Sequence, residues 1–532
     1  MLGGMQDFEL RVPRLIDHAE REHGTREIVS RWADGTETRT NWGGVARDAR
    51  KLAQALERMG VKRGERVGTL AMNHHRHLAT WYGAVGMGAV VHTINPRLFD
   101  DQLVYIANHA EDRVLFYDRA FQPIVDRLRA QWTTIEHFIV YDGDGPDSFE
   151  ALIAAEDGDY AWVEGDEREP CMLCYTSGTT GNPKGVIYEH RSTVIHALAE
   201  IQPAVFDLSS QSVALPVVPL FHAVGWGLPF AGAAVGLKFV FSAVNEPQIL
   251  CDLMNREKVT HSAGVPTVWF AMFQYMDSTG KAPEHLKIVT IGGSAAPRSM
   301  IERLMKMGIR VNHAWGMTET SPIGTMGAPP PEWDEWSFEQ KVDLVTKQGK
   351  VPFGVELRVV DDEGRVQPRD GASSGRLQCR GPWIIKRYFK DEKGPCLTEE
   401  GWFDTGDVAV LHPDGTMQIT DRAKDVIKSG GEWISSVELE NAAVGCAGVA
   451  EAAAVGVYHP KWDERPLLLV VRKEGAQVTE AAILDHLSAC VAKWWLPDEI
   501  LFVESLPHTA TGKLLKTALR EEYKNYRLKG AA

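Results

Sequence analysis

The segment Tyr175–Gly185, YTSGTTGNPKG, places four Ser or Thr hydroxyls, three glycines and one lysine within eleven positions. That composition suits an anion. Glycines let several backbone N–H groups converge on one phosphate, the hydroxyls add donors, and Lys184 adds positive charge. The spacing is not GxxxxGK[ST], because the lysine is followed by Gly185, so a P-loop NTPase is disfavoured. Taken alone, the segment also fits a Gly/Thr-rich turn that binds nothing.

Such a loop needs a rigid frame, and the flanking sequence describes one. Val45, Ala49, Leu52, Leu56 and Met59 recur at spacings of 4, 3, 4 and 3, which puts them on one helix face, and Gly60 is placed to end that helix. VGTLA (67–71), VVH (90–92), RVLFYD near Leu115, HFIVYD near Ile139 and LKIVTIGG near Val289 read as short buried strands. HLATWYGAVGMGA (77–89) reads as a helix between two of them. Strands alternating with helices predict parallel sheets covered on both faces. After Val351 the texture changes to short alternating strands with turns at Glu363-Gly364 and Asp370-Gly371, which is antiparallel β character. From Ala423 a last segment mixes VELENAAV, a helix, with LLLVVRK, a strand. The expected fold is α/β: a large N-terminal domain (1–422) of layered α/β subdomains plus a β-rich subdomain, and a small mobile α+β C-terminal domain (423–532).

Bulk properties narrow the function. A net charge of −15 makes sequence-independent nucleic-acid binding a poor fit, since that needs clustered Lys and Arg. Seven cysteines are an odd number in a long chain, which argues against a disulfide framework; the lone pair Cys171-x-x-Cys174 lies in an apolar strand pattern and reads as packing. The first residues, MLGGMQDFELRVPRL, lack a signal-peptide apolar run, and the least polar stretch, His222–Val244, is interrupted by Pro229 and Lys238. A cytoplasmic protein without a membrane span is expected.

Six segments, in order along nearly the whole chain, resemble signatures of the adenylate-forming superfamily of acyl-CoA synthetases, luciferases and adenylation domains. They are YTSGTTGNPKGV, GGSAAP (292–297), AWGMTET (314–320), FDTGD (403–407), DRAKDVIKSGGEWISSVELEN (421–441) and PHTATGKLLK (507–516). The resemblance implies two half-reactions. A carboxylate attacks the α-phosphorus of ATP, giving acyl-adenylate and pyrophosphate; the thiol of coenzyme A then takes the acyl group and AMP leaves. It also implies roles. Lys513 bridges carboxylate and α-phosphate. Glu319 holds Mg²⁺ with Thr176, hard oxygen ligands for a hard cation. Thr176, Ser177, Gly178, Thr179, Thr180 and Lys184 take the phosphates. Gly293, Ser294, Ala295, Ala314, Trp315, Gly316, Met317, Thr318, Asp407, Ile419 and Arg422 take the nucleoside, with Asp407 on the ribose hydroxyls. Trp315 stands where the superfamily usually has tyrosine beside the adenine; an indole can stack, but its N–H sits elsewhere than a phenol hydroxyl.

Lys424 falls at the hinge position. Lys428, Ser429, Gly430, Gly431, Glu432 and Trp433 form the loop expected to meet coenzyme A after domain rotation. PVVPLFHAVGWGLPF (216–230) matches the segment lining the acid pocket, giving His222, Trp226 and Gly292 as pocket residues, with Trp226 in the position of an aromatic gate. Gly225, Gly227, Gly232 and Gly236 leave room for an acyl chain on this reading. The implied enzyme is an AMP-forming acyl-CoA ligase of a medium- to long-chain fatty acid. A 3-methylmercaptopropionate ligase shares these motifs and stays open as the alternative; a luciferase-type oxidoreductase or a non-catalytic nucleotide-binding protein is a weaker fit. Expected partners are the carboxylic acid, ATP, Mg²⁺ and coenzyme A, in a homodimer.

Overall fold

The computed structural model describes residues 3–176, 182–391, 394–430, 432–508 and 514–529. Its first sheet has six strands in the order His137–Val140, Asp112–Tyr117, Arg66–Leu70, Val90–Thr93, Pro170–Tyr175 and Gly185–Glu189. All pair in parallel except the last, which turns back antiparallel on Pro170–Tyr175. The second sheet has eight strands, ordered Ile323–Met326, Arg310–Gly316, Ile288–Ile291, His261–Gly264, Val213–Pro216, Lys238–Ser242, Glu27–Arg31 and Glu37–Asn41. It is parallel in its centre, with an antiparallel strand at each edge. The strands read from the sequence all form, and the near-continuous burial of Arg66–Leu70, Val90–Thr93 and Ile288–Ile291 is what a sheet covered on both faces requires.

Helices lie between the two sheets and join them in one core. Trp42–Arg58 buries Val45, Ala49, Leu52 and Leu56, the expected face; Gly60 just beyond it has φ +83°, the left-handed residue that ends a helix. His75–Gly86 buries Trp81 and Tyr82, whose rings pack on Phe230 of the helix Leu228–Val235. That helix is the centre of the apolar stretch read as buried core.

A third, four-stranded antiparallel sheet holds Glu356–Val360, Gly375–Arg380, Phe403–Leu411 and Met417–Arg422. Its last strand ends at Arg422, and the next sheet begins at Ile427–Ser429. That final sheet is built on the long hairpin Val449–His459 and Asp463–Arg472, with helices Ser436–Val444 and Glu480–Cys490 over a separate apolar core. All seven cysteines are free thiols, and burial pushes Cys171 up to about 12, as fits a packing residue rather than a ligand or redox centre. Among the described residues, no helix is long and apolar enough to cross a membrane.

Candidate active site

The carboxyl ends of the parallel strands converge on one cleft of about 290 Å³, the usual ligand position in such sheets. Thr176 enters it from the end of Pro170–Tyr175. Its N–H donates to the Lys184 carbonyl (2.9 Å), and its hydroxyl accepts from the Lys184 N–H (3.3 Å), so the phosphate loop is cinched at its base. Ser177, Gly178, Thr179 and Thr180 lie outside the described residues. Lys184 reaches the cleft with its ammonium 4.7 Å over the Tyr388 ring.

Glu319 sits on the tight turn between the antiparallel strands Arg310–Gly316 and Ile323–Met326, and is only 7% exposed. The Tyr388 hydroxyl donates to its Oε1 (2.9 Å), and the Ile385 N–H donates to its carbonyl (2.8 Å). Tyr188 donates to the preceding carbonyl, that of Thr318 (2.7 Å). Burial raises the Glu319 carboxyl above the usual carboxylate range, opposed by the Tyr388 hydrogen bond and by Lys184 and Arg422. The buried Glu319 carboxylate and Thr176 line the same cleft, and oxygen donors of this kind would suit a hard divalent ion, which would offset that desolvation. Among the described residues no group of three His, Cys, Asp or Glu is available to a metal, so such an ion would draw most of its ligands from phosphate and water.

Ala314, Trp315, Gly316, Met317, Thr318 and Gly293 line the cleft as expected, and so does Arg422. Ser294 and Ala295 follow in the same loop but are not among the residues lining it. Ile419 also stays off the cleft, with its N–H donated to Gln348 Oε1 at 2.7 Å. Asp407 is joined to the site through two neighbours: the Trp315 indole N–H donates to Oδ2 (2.8 Å), and Arg422 Nε lies 3.6 Å from Oδ1.

His222, Trp226 and Gly292, the residues expected at the acid pocket, also line this cleft, together with Ala223, Phe206, Ile323 and Met326. Residues 223–227 make a left-handed turn, with φ of 38°, 42°, 57°, 55° and 73°. Val224 and Trp226 adopt it against steric preference, and burial among their neighbours holds them there. The turn drives the Trp226 ring against Gly292, where a Cβ would come within 3.1 Å of Cη2. The room expected from the nearby glycines is occupied. The side-chain position of Gly225 is taken by Leu220, of Gly227 by the Glu200 carboxylate, of Gly232 by Phe239 and of Gly236 by His23. Glu200 is 1% exposed, and among the described residues neither of its oxygens has a hydrogen-bond partner. His196 Nδ1 lies 3.5 Å from Oε1.

Among the described residues, the loop expected to meet coenzyme A does not line this cleft. Lys428, Ser429, Gly430, Glu432 and Trp433 lie on a hairpin of the last sheet, and Lys428, Ser429, Gly430 and Trp433 do not line the cavity; Gly430 (φ +60°) packs on Trp462. Lys513 and Gly431 lie outside the described residues. Lys424 sits on the short link between sheets, where Arg520 donates to its carbonyl (2.6 Å) and pairs with Asp425. Burial and the cations Arg422 and Arg520 lower its ammonium pKa. Across this link Asp421 Oδ2 accepts both the Ser436 N–H and hydroxyl at 2.6 Å, and on its far side Lys516 pairs with Glu440 at 2.7 Å. Tyr388 and Asp421 are the functional neighbours that sequence reasoning left without a role. Asp421 was visible inside the DRAKD segment, whereas IIKRYFK around Tyr388 carries no local signal.

Comparison with known proteins agrees with this geometry. The AMP-binding enzyme family matches residues 16–389, and the AMP-binding enzyme C-terminal domain matches 438–513. The chain is 47% identical to a 3-methylmercaptopropionyl-CoA ligase of Ruegeria lacuscaerulensis over 99% of both chains. It is 44% identical to a medium-chain-fatty-acid–CoA ligase of Ectopseudomonas oleovorans, over 100% of this chain and 99% of the relative. Identity to a long-chain-fatty-acid–CoA ligase of Thermus thermophilus is 45%, over 98% and 97%. Among solved structures, an anthranilate CoA ligase in complex with anthranoyl-AMP superposes with a TM-score of 0.87 at 25% identity, over 98% of both chains. ATP-bound MatB from Rhodopseudomonas palustris gives 0.82 at 25% identity, over 97% of this chain and 99% of that one. The chain belongs to the AMP-binding enzymes of the adenylate-forming superfamily and is an AMP-forming acyl-CoA ligase.

Proposed function

We propose that this ligase activates a short, compact carboxylic acid, with 3-methylmercaptopropionate the leading candidate. The observation that carries the proposal is the Trp226 ring seated on Gly292, with the side-chain positions of Gly225, Gly227, Gly232 and Gly236 already filled. A pocket closed in this way accommodates a few carbon or sulfur atoms, and each further methylene would have to displace packed side chains. Of the two acid classes that the sequence leaves open, this favours the shorter. A medium-chain acid remains the second reading, supported by the 44% identical fatty-acid ligase and requiring Trp226 to swing off Gly292.

The adenylation step brings two anions together, so the residues around them must supply positive charge and donors. Lys184 and Arg422 face the cleft and serve the phosphates, with Thr176 at the loop base. His222, half-buried at the acid end, contacts the carboxylate or the adenylate. Asp407 receives the ribose hydroxyls, and Trp315 flanks the adenine. Glu319 and Thr176 hold Mg²⁺, which when bound supplies charge neutralisation on the phosphate oxygens. Tyr388 keeps the Glu319 carboxylate oriented. Lys513 enters from the C-terminal domain for this step. Rotation about Lys424, between domains 1–422 and 423–532, then presents the 428–433 hairpin to coenzyme A, where Gly430 lets the pantetheine arm pass close to the backbone. The homodimer rests on the sequence resemblance.

The test is AMP release dependent on coenzyme A, with ATP and Mg²⁺, across propionate, 3-methylmercaptopropionate, butyrate, octanoate and palmitate. The expected maximum is at the short thioether or butyrate. A maximum at octanoate or palmitate in the native enzyme would overturn the short-acid reading. Trp226→Ala should then move the profile toward octanoate.

A further inference from the structure

We infer that Trp315 is a positioning residue for nucleotide selection: its indole N–H pins the Asp407 carboxylate in the rotamer that reads the ribose diol. This rests on the assignment of Asp407 to the ribose.

The two residues are 92 positions apart and meet through one hydrogen bond, Nε1 to Oδ2 at 2.8 Å. Both are 8% exposed, so water competes little for either group. An indole N–H is a donor only, and a carboxylate only accepts, so the polarity of the contact is unambiguous. The bond takes one of about four lone-pair sites of the carboxylate and stops rotation about its Cβ–Cγ bond. Oδ1 is held toward Arg422, whose Nε is 3.6 Å away. Asp407 is also anchored from behind, its N–H donating to Thr405 Oγ1 at 3.1 Å. With both oxygens directed, the carboxylate is preorganised for two vicinal hydroxyls and loses little freedom on binding them.

The indole is itself placed by its surroundings. Its six-membered ring lies over Gly324 on the neighbouring strand, where any Cβ would overlap Cζ3 and Cε3. Gly324 therefore makes the space that the larger ring needs to reach Asp407. Trp315 thus does more than offer a face to the adenine.

The experiment measures kcat/KM for pyrophosphate release with ATP, 2′-deoxy-ATP and 3′-deoxy-ATP, using full-length protein, Mg²⁺ and saturating acid. Two variants attack the bond from different sides. Trp315→Phe keeps an aromatic face without the N–H, and Gly324→Ala keeps the tryptophan but displaces its ring. The native enzyme should prefer ATP over each deoxynucleotide by about tenfold or more. In either variant kcat/KM for ATP should fall about tenfold, mainly through KM, while the deoxynucleotides lose less than about threefold, so the preference collapses. The preference is a ratio and is independent of the active fraction, so partial unfolding cannot imitate it. A preference unchanged in both variants would overturn the role of Trp315 and leave Asp407 on the ribose. A native enzyme indifferent to both hydroxyls would overturn the ribose assignment, and this inference with it.

Discussion

Replacing Tyr388 by phenylalanine removes one oxygen atom and leaves the ring beneath Lys184 in place. The lost group is the hydroxyl that donates to Glu319 Oε1 at 2.9 Å. Its acceptor is a carboxylate that burial already drives toward the neutral form. A hydrogen bond to a charged group contributes about 1.5–3 kcal/mol, and at about 1.4 kcal/mol per factor of ten this corresponds to a loss of roughly 10- to 100-fold. The loss should appear in kcat/KM for ATP at limiting Mg²⁺, and raising Mg²⁺ should recover part of it, because the hydroxyl holds the ligand rather than the substrate. The pH profile supplies a second reading. Tyr388 lowers the Glu319 pKa, so its removal raises it, and the acidic limb of activity must move to higher pH. The assay is continuous pyrophosphate release from pH 5.5 to 8.5 at two Mg²⁺ concentrations. If Tyr388→Phe keeps kcat/KM within twofold and its acidic limb stays in place, the hydroxyl does not support Glu319 and the argument is wrong. Tyr388→Ala, which also removes the cation–π contact of Lys184, should be worse than the phenylalanine variant.

Three further outcomes are expected. Glu200→Met should raise Tm by at least about 2 °C, since it fills the Gly227 slot without a buried, unpartnered carboxyl. The folded pKa of Glu200 is raised, so the native protein loses stability as pH climbs above 4.5, and the variant's advantage must be larger at pH 8 than at pH 5; an equal or inverted gap would refute this. Lys513→Ala should abolish pyrophosphate release yet still form thioester from supplied acyl-AMP, and equal loss of both steps would remove it from the adenylation role. Ser436→Ala breaks one of two bonds to Asp421 across the link and should speed tryptic cleavage at Lys424; an unchanged cleavage rate would show that this clasp does not restrain the hinge.

The chemistry of the site was legible because it needs particular residue types at short fixed spacing. The glycines and hydroxyls of 175–185 read as an anion loop, and the segment 314–319, which the resemblance assigns to the nucleotide, runs along one strand and turn, so neighbours in sequence are neighbours in space. The helix Trp42–Arg58 and the parallel strands were legible for the related reason that periodicity and burial are local properties. What crosses between elements was not. Tyr388 meets Glu319 from 69 residues away, and Trp315 meets Asp407 from 92; nothing in either local sequence encodes the other. The acid pocket makes the same point in reverse. Gly225, Gly227, Gly232 and Gly236 leave room for an acyl chain when read from sequence, but glycine content alone does not measure a tunnel. Close packing filled that space with Leu220, Glu200, Phe239 and His23. A glycine determines only that its own side chain is absent; whether a cavity or a neighbour takes the volume is decided by the chain folded around it.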